Sequence, residues 1–197
     1  CKWDNFKSNI IDIFNLRAGG LAIYGAIIGG ILGSYIFCRF KKLSFLTVLN
    51  LVSPYVVLGQ AIGRWGNFFN QEAFGENTNN FLGMTGNLIQ DRIVNMNLEG
   101  NVFLNAGIPV HPTFLYESLW NILVFGILIF CQKNKLLKNN LFYLYMILYS
   151  IGRFYIEGLR IDSLYIGSTI RVSQALAGIL VVGFSIVIFN KSKKVES

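Results

Sequence analysis

Apolar residues run almost unbroken through five stretches of this chain, near 19–38, 43–63, 113–131, 140–157 and 170–190. Each approaches or exceeds the roughly 20 residues that a helix needs to cross a bilayer. Lipid leaves no backbone polar group unpaired without a large cost, so each stretch predicts a helix. The pattern breaks between the second and third stretches, where residues 66–112 are polar and rich in Asn and Gly. That segment is too long for a plain connector and is predicted to fold on the membrane surface. The fold class expected is an all-α polytopic membrane protein with five transmembrane helices, residues 1–197 forming one membrane-embedded domain.

Composition agrees. Of 197 residues, 53% are hydrophobic and only 14% charged, with mean hydropathy +0.51. Soluble domains carry roughly 25% charged residues. The formal charge of +7 sits in three places: Arg39, Lys41 and Lys42 after the first stretch, Lys133, Lys135 and Lys138 after the third, and Lys191, Lys193 and Lys194 after the fifth. With five spans all three clusters fall on one face, which the positive-inside rule makes cytoplasmic. The 66–112 loop and the 158–169 loop then face outward. The net charge is a topology signal, and nucleic acid is excluded as a partner. Cys38 and Cys131 both fall at cytoplasmic ends, which argues against a disulfide framework, and no metal-ligand spacing is visible. Residue 1 is Cys: the chain reads as an N-terminally incomplete piece of a longer protein in preference to a processed lipoprotein, since a lipoprotein is ordinarily a soluble domain on a lipid tether. Gly25, Gly29 and Gly33 form a small-residue stripe suited to close helix packing.

Several charges break this pattern. Arg64 ends the second stretch, Glu117 lies just inside the third, and Arg153 and Glu157 lie near the outer end of the fourth, with Arg160 beyond. Ionisable groups at membrane depth are costly and mark function. Tyr145, Tyr149, Arg153, Glu157 and Arg160 follow one another at spacings of 4, 4, 4 and 3, one stripe with aromatic residues below and charges above. A simple Arg153–Glu157 ion pair is compatible with that spacing, but it leaves Arg64 and Arg160 at the same depth unexplained. Arginine forks suit phosphate, and in the outer leaflet the available phosphate is a phospholipid head group. Beside Arg64, the run Gly63–Gly75 supplies the amides Asn67 and Asn70. It reads equally as a Gly-rich helix end with Asn caps or as part of an anion site. His111, the one imidazole, reads as a junction residue ahead of Pro112 at the start of a helix, and also as an acid–base candidate.

Gly63-Arg-Trp-Gly-Asn-Phe-Phe-Asn-Gln-Glu72-Ala-Phe-Gly75 closely resembles the signature of the prolipoprotein diacylglyceryl transferases. Further blocks match in the family's order: Arg17–Gly25 with its Gly-rich entry to a span, His111–Glu117 with H-P-x-x-L-Y-E, Gly152–Arg160 with G-R-F-x-x-E-x-x-R, and Arg171–Gln174 with the start of the last span. The family ordinarily has about seven spans, so the resemblance implies a missing N-terminal pair. Its members often carry His where Tyr24 stands here, which rules out His-based proton transfer from that position.

The resemblance implies transfer of a diacylglyceryl group from phosphatidylglycerol to the lipobox cysteine of a bacterial prolipoprotein, with a thioether formed and glycerol phosphate released, in the cell membrane, at an active site toward the outer leaflet. No cofactor or metal is implied. The partners are phosphatidylglycerol and the prolipoprotein signal peptide, within membrane lipid. Arg64, Arg153, Tyr24 and Glu157 are the implied catalytic residues. Arg64, Asn67, Asn70, Glu72, His111, Tyr116, Glu117, Tyr149, Arg160 and Gln174 are implied to bind substrate. Within these, Arg64, Arg153 and Arg160 are assigned to the phosphate, Glu157 to orienting arginines, and Glu117, His111 or Tyr24 to proton handling. The competing class is a lipid or small-molecule transporter or flippase, which calls for internal repeats and helices broken at mid-membrane; Pro54 interrupts the second stretch, but the polar groups crowd its outer end. A non-catalytic scaffold has no need of the arginine-bearing blocks.

The charge pattern predicts that a cysteine at Asn79 reacts with a membrane-impermeant thiol reagent in intact cells. Labelling only after lysis reverses the orientation.

Overall fold

The computed structural model describes residues 23–100, 103–137, 140–161, 165–166 and 170–196. The chain divides into two units, residues 1–48 and 49–197.

In the first unit, helix α1 (Ile23–Phe40) carries Arg39 in its last turn, where a cation complements the helix dipole. It closes with Leu43 N–H donating to Cys38 C=O at 2.9 Å and Lys42 in the left-handed region at φ 54°. Helix α2 (Phe45–Gly63) follows at once, and Phe45 meets Tyr35 edge-on with centroids 5.6 Å apart.

In the second unit, α2 runs without interruption through Pro54, so the break expected there does not occur. Ser53 Oγ donates to Leu49 C=O, and Asn50 Oδ1 accepts Phe142 N–H at 2.8 Å. The latter satisfies a first-turn donor of another helix, which has no intrahelical partner. After the short α3 (Trp65–Phe69), residues 70–100 and 103–112 fold around the helix α4 (Asn87–Leu98). Ile89 and Ile93, one turn apart on α4, join Phe74, Met84, Val110 and Phe114 in a buried cluster. The long polar segment therefore has a core of its own, closed by backbone pairing of Val110 with Asn77 and Met84.

Helices α5 (Thr113–Lys133) and α6 (Leu141–Glu157) pack against each other and α2 through Val57, Val124, Leu128, Cys131, Leu141 and Tyr145. A ribbon, β1 (Tyr165–Ile166) with β2 (Ile170–Arg171), pairs Tyr165 with Arg171 and Ile166 with Ile170. Helix α7 (Val172–Glu196) packs on α6. The sequence pattern starts the last helix near 170; the ribbon occupies its first two residues.

The five helices sit where the apolar pattern puts them, and the class is a helical membrane protein. Among the described residues, three stretches are both long and apolar enough to cross a bilayer: Phe45–Phe69, Thr113–Lys133 and Ser173–Lys191. Helix α6 has 17 residues, about 25 Å at 1.5 Å per residue, and Arg153 and Glu157 interrupt its apolar run.

Close approach of α5 and α6 rests on Gly152. A Cβ there would overlap Cδ1 and Nε1 of Trp120, whose Nε1–H donates to Leu148 C=O at 2.9 Å. Gly152→Ala is expected to cost about 1–3 kcal/mol through overpacking and to lower the thermal midpoint in detergent. An unchanged midpoint refutes this packing.

Candidate functional site

Glu117 lies in the second turn of α5, and that turn is tied down on both sides. Thr113 Oγ1 donates to Ala73 C=O, and Ser118 Oγ donates to Ala61 C=O at 3.0 Å. Both acceptors belong to the segment carrying Arg64, which occupies the joint between α2 and α3. Trp65 and Phe68 seat that joint on Phe114, with ring centroids 5.5 and 5.1 Å away. The local sequence thus delivers Arg64 to Glu117: its Nε bonds Glu117 Oε2.

Arg153 reaches the same carboxylate from α6. Its Nη1 lies 2.6 Å from Glu117 Oε1 and its Nη2 lies 2.6 Å from Glu157 Oε2, so one guanidinium spans two carboxylates. Arg160 Nη1 stands 4.0 Å from Glu117 Oε1. The sequence stripe places Arg160 on the same helix as Arg153, but α6 ends at Glu157. Arg160 follows a turn through Gly158 and Leu159, and its backbone pairs with Gly75. The side chains of Glu117 and Glu157 are 5% and 6% exposed, those of the three arginines 16–22%. Carboxylates so buried are tolerable only when paired and hydrogen-bonded.

Asn67 and Asn70 turn elsewhere. Both Nδ2 groups donate to Glu72 Oε1 at 3.2 Å, and Glu72 Oε2 lies 3.9 Å from Arg92 on α4. Gln71 and Ala73 both have positive φ, 49° and 55°. They fold the chain back after α3, and non-glycine residues rarely adopt that conformation. Gln71 Oε1 also accepts Leu88 N–H at 3.1 Å, in the first turn of α4, and a Cβ on Gly86 would overlap that same oxygen.

His111 Nδ1 and Tyr116 Oη are 3.1 Å apart, and the His111 backbone is held by Gly75 N–H and Glu76 C=O. Tyr149 stacks obliquely on Tyr145, whose hydroxyl donates to Gln60 Oε1 at 3.1 Å. Gln174 Nε2 donates to Phe154 C=O at 3.0 Å, which ties α7 to α6. Tyr24 lies in the first turn of α1, and its side chain lies outside what the structure describes. Among the described residues no group of three or more His, Cys, Asp or Glu side chains is placed to hold a metal ion.

Sequence reasoning gave no role to Arg171, Gln60 or Arg92. Arg171 Nη1 donates to Glu157 C=O, which also accepts Arg160 N–H. It is a basic residue at the start of an apolar stretch, against the pattern of the three clusters, and that was its signal. Gln60 precedes Arg64 by four residues on one helix face. Nothing in the local pattern singles out Arg92.

An arginine-rich polar cluster thus stands where three apolar helices of this helical membrane protein end. The sequence profile of the prolipoprotein diacylglyceryl transferases matches residues 3–190. The phosphatidylglycerol–prolipoprotein diacylglyceryl transferase of Clostridium botulinum (strain Langeland) is 44% identical over 194 residues, which cover 98% of this chain and 72% of that protein. That of Listeria monocytogenes serovar 1/2a is 46% identical over 195 residues, covering 98% and 67%. The chain belongs to the prolipoprotein diacylglyceryl transferase family.

Arg153 bridges two carboxylates with two nitrogens, and a single ammonium cannot reproduce that. Arg153→Lys is expected to lower transferase activity at least about a hundredfold, about 2.7 kcal/mol of barrier, while the protein still inserts. Near-normal turnover removes Arg153 from the site.

Proposed function

We propose that this chain transfers a diacylglyceryl group from phosphatidylglycerol to the cysteine thiol of a prolipoprotein. The observation that carries the reading is the convergence of Arg64, Arg153 and Arg160 on the single buried carboxylate of Glu117. In the reaction the thiolate sulfur attacks the glycerol carbon that bears the phosphate ester. The carbon–oxygen bond breaks, its electron pair stays with the phosphate oxygen, and glycerol phosphate leaves. Negative charge grows on the phosphate, and guanidinium groups held in advance stabilise it. A free cysteine thiol, with pKa about 8.5, already supplies a few per cent thiolate at pH 7.

Glu117 acts as the anchor of the arginines. Both of its oxygens already face guanidinium groups, which leaves proton transfer to another group. Glu157 holds the far side of Arg153. Asn67, Asn70 and Glu72 shape the loop that follows Arg64, a role set back from the phosphate. The His111–Tyr116 pair is the acid–base candidate among the described side chains. We place the protein in the bacterial cell membrane as a multi-pass transferase domain with five helices crossing. Residues 66–112 then lie outside the cell and the arginine site faces the outer leaflet, in keeping with the basic clusters at the opposite ends of the helices.

Membranes containing the protein, given phosphatidylglycerol labelled in its acyl chains and a cysteine-containing lipobox peptide, are expected to yield labelled peptide and an equimolar amount of glycerol phosphate. The label should resist neutral hydroxylamine, which cleaves a thioester but spares a thioether and the glyceryl esters, and alkali should release it as fatty acid. Absence of transfer, or equal transfer to the serine analogue of the peptide, contradicts this function.

A further inference from the structure

A cavity of about 240 Å³ opens between α4 and the turn that leaves the arginine loop. Ala73, Phe74, Met96 and Ile161 supply its apolar lining, and Arg92, Asn95 and Glu99 its polar lining. Two of its walls are one residue removed from the site already described. Ala73 follows Glu72, and Ile161 follows Arg160, whose guanidinium approaches Glu117. The backbone pairing of Gly75 with Arg160 holds those two walls side by side. The third wall, α4, is fastened to the same loop through Gln71 to Leu88 N–H and Glu72 to Arg92. Behind the lining, Phe74 belongs to the buried cluster with Ile89 and Ile93, and Ile161 packs against it. The cavity is therefore preformed, and its position is coupled to the arginines.

We propose that this cavity receives an apolar side chain of the acceptor peptide, from a residue close to the cysteine that is modified; the proposal rests on the transferase reading above. Size, polarity and place each support that occupant. Pockets that enclose a whole drug-sized ligand run to about 300–1,000 Å³, so this one suits a single residue. Its polar groups include a cation, a carboxylate and an amide, which suits the donors and acceptors of a peptide backbone, whereas the carboxylate disfavours a phosphate. The cavity is built from the polar segment and the turn after α6, outside the apolar helical stretches. An acyl chain has to leave the hydrocarbon to reach it, but an extended peptide presenting its thiol to the arginines passes it.

The test uses membranes carrying the protein, phosphatidylglycerol and a cysteine peptide whose flanking residues are varied one at a time. Met96→Trp fills the cavity and should raise KM for the peptide at least about tenfold, with KM for phosphatidylglycerol unchanged. Met96→Ala should shift preference toward a larger side chain at one peptide position. A peptide KM unmoved by Met96→Trp, or a phosphatidylglycerol KM that moves instead, overturns the subsite. A second readout is independent of catalysis: a benzophenone amino acid in place of the exposed Asn95 should crosslink the peptide. Capture of phospholipid alone, or of neither substrate, refutes the subsite. Capture of the peptide without any transfer by the unaltered protein upholds the subsite and places the failure with the transferase reading.

Discussion

The second unit is organised around one carboxylate. Glu117 accepts from Arg64 at the α2–α3 joint and from Arg153 on α6, and faces Arg160 beyond the end of α6. At 5% exposure it has almost no water to fall back on. Leaving a buried charge unpartnered costs several kcal/mol, so each arginine is held in place by the others' claim on the same group. Three segments distant in sequence are thereby fixed relative to one another within a few ångströms. The packing beneath cooperates. Trp120, one turn below Glu117, lies against Gly152, the residue before Arg153, so the spacing of α5 and α6 matches the reach of the ion pair.

That arrangement suits a site that stabilises developing negative charge. Arginines held in advance need no reorganisation when charge appears on a leaving group. The shared carboxylates hold the guanidinium forks in a fixed orientation. Arg171 reinforces this from outside by donating to the carbonyl of Glu157, where the negative end of the α6 dipole lies. The β1–β2 ribbon is connected through that bond to the residue that steadies Arg153.

Much of this was legible in the sequence, because the bilayer imposes a simple rule. Apolar runs of spanning length gave the helices to within a few residues, and charges placed against the basic clusters singled out Arg64, Glu117, Arg153, Glu157 and Arg160. The family resemblance named the same residues. What stayed hidden depends on long-range geometry. A stripe of 4, 4, 4 and 3 does not show that the helix stops before Arg160. Asn67 and Asn70 read as neighbours of Arg64, but positive φ at Gln71 and Ala73 bends the chain so that both amides serve Glu72. No local pattern announces left-handed backbone at Gln or Ala. Glu117 read as one candidate among several for moving a proton, since only packing reveals that both of its oxygens are taken.

The Glu117–Arg153 pair joins two consecutive helices, and that bears on how the protein is made. Each such charge, inserted alone at the centre of a lipid-exposed helix, costs about 2.5–3.5 kcal/mol. Helices α5 and α6 are separated by only a short connection, residues 134–140. If they partition from the translocation machinery together, the two charges enter already neutralised. Arg64, synthesised earlier just past the end of α2, has to wait for that hairpin to arrive. The order of synthesis makes the α5–α6 hairpin the unit of insertion and leaves Arg64 as the step that completes the site.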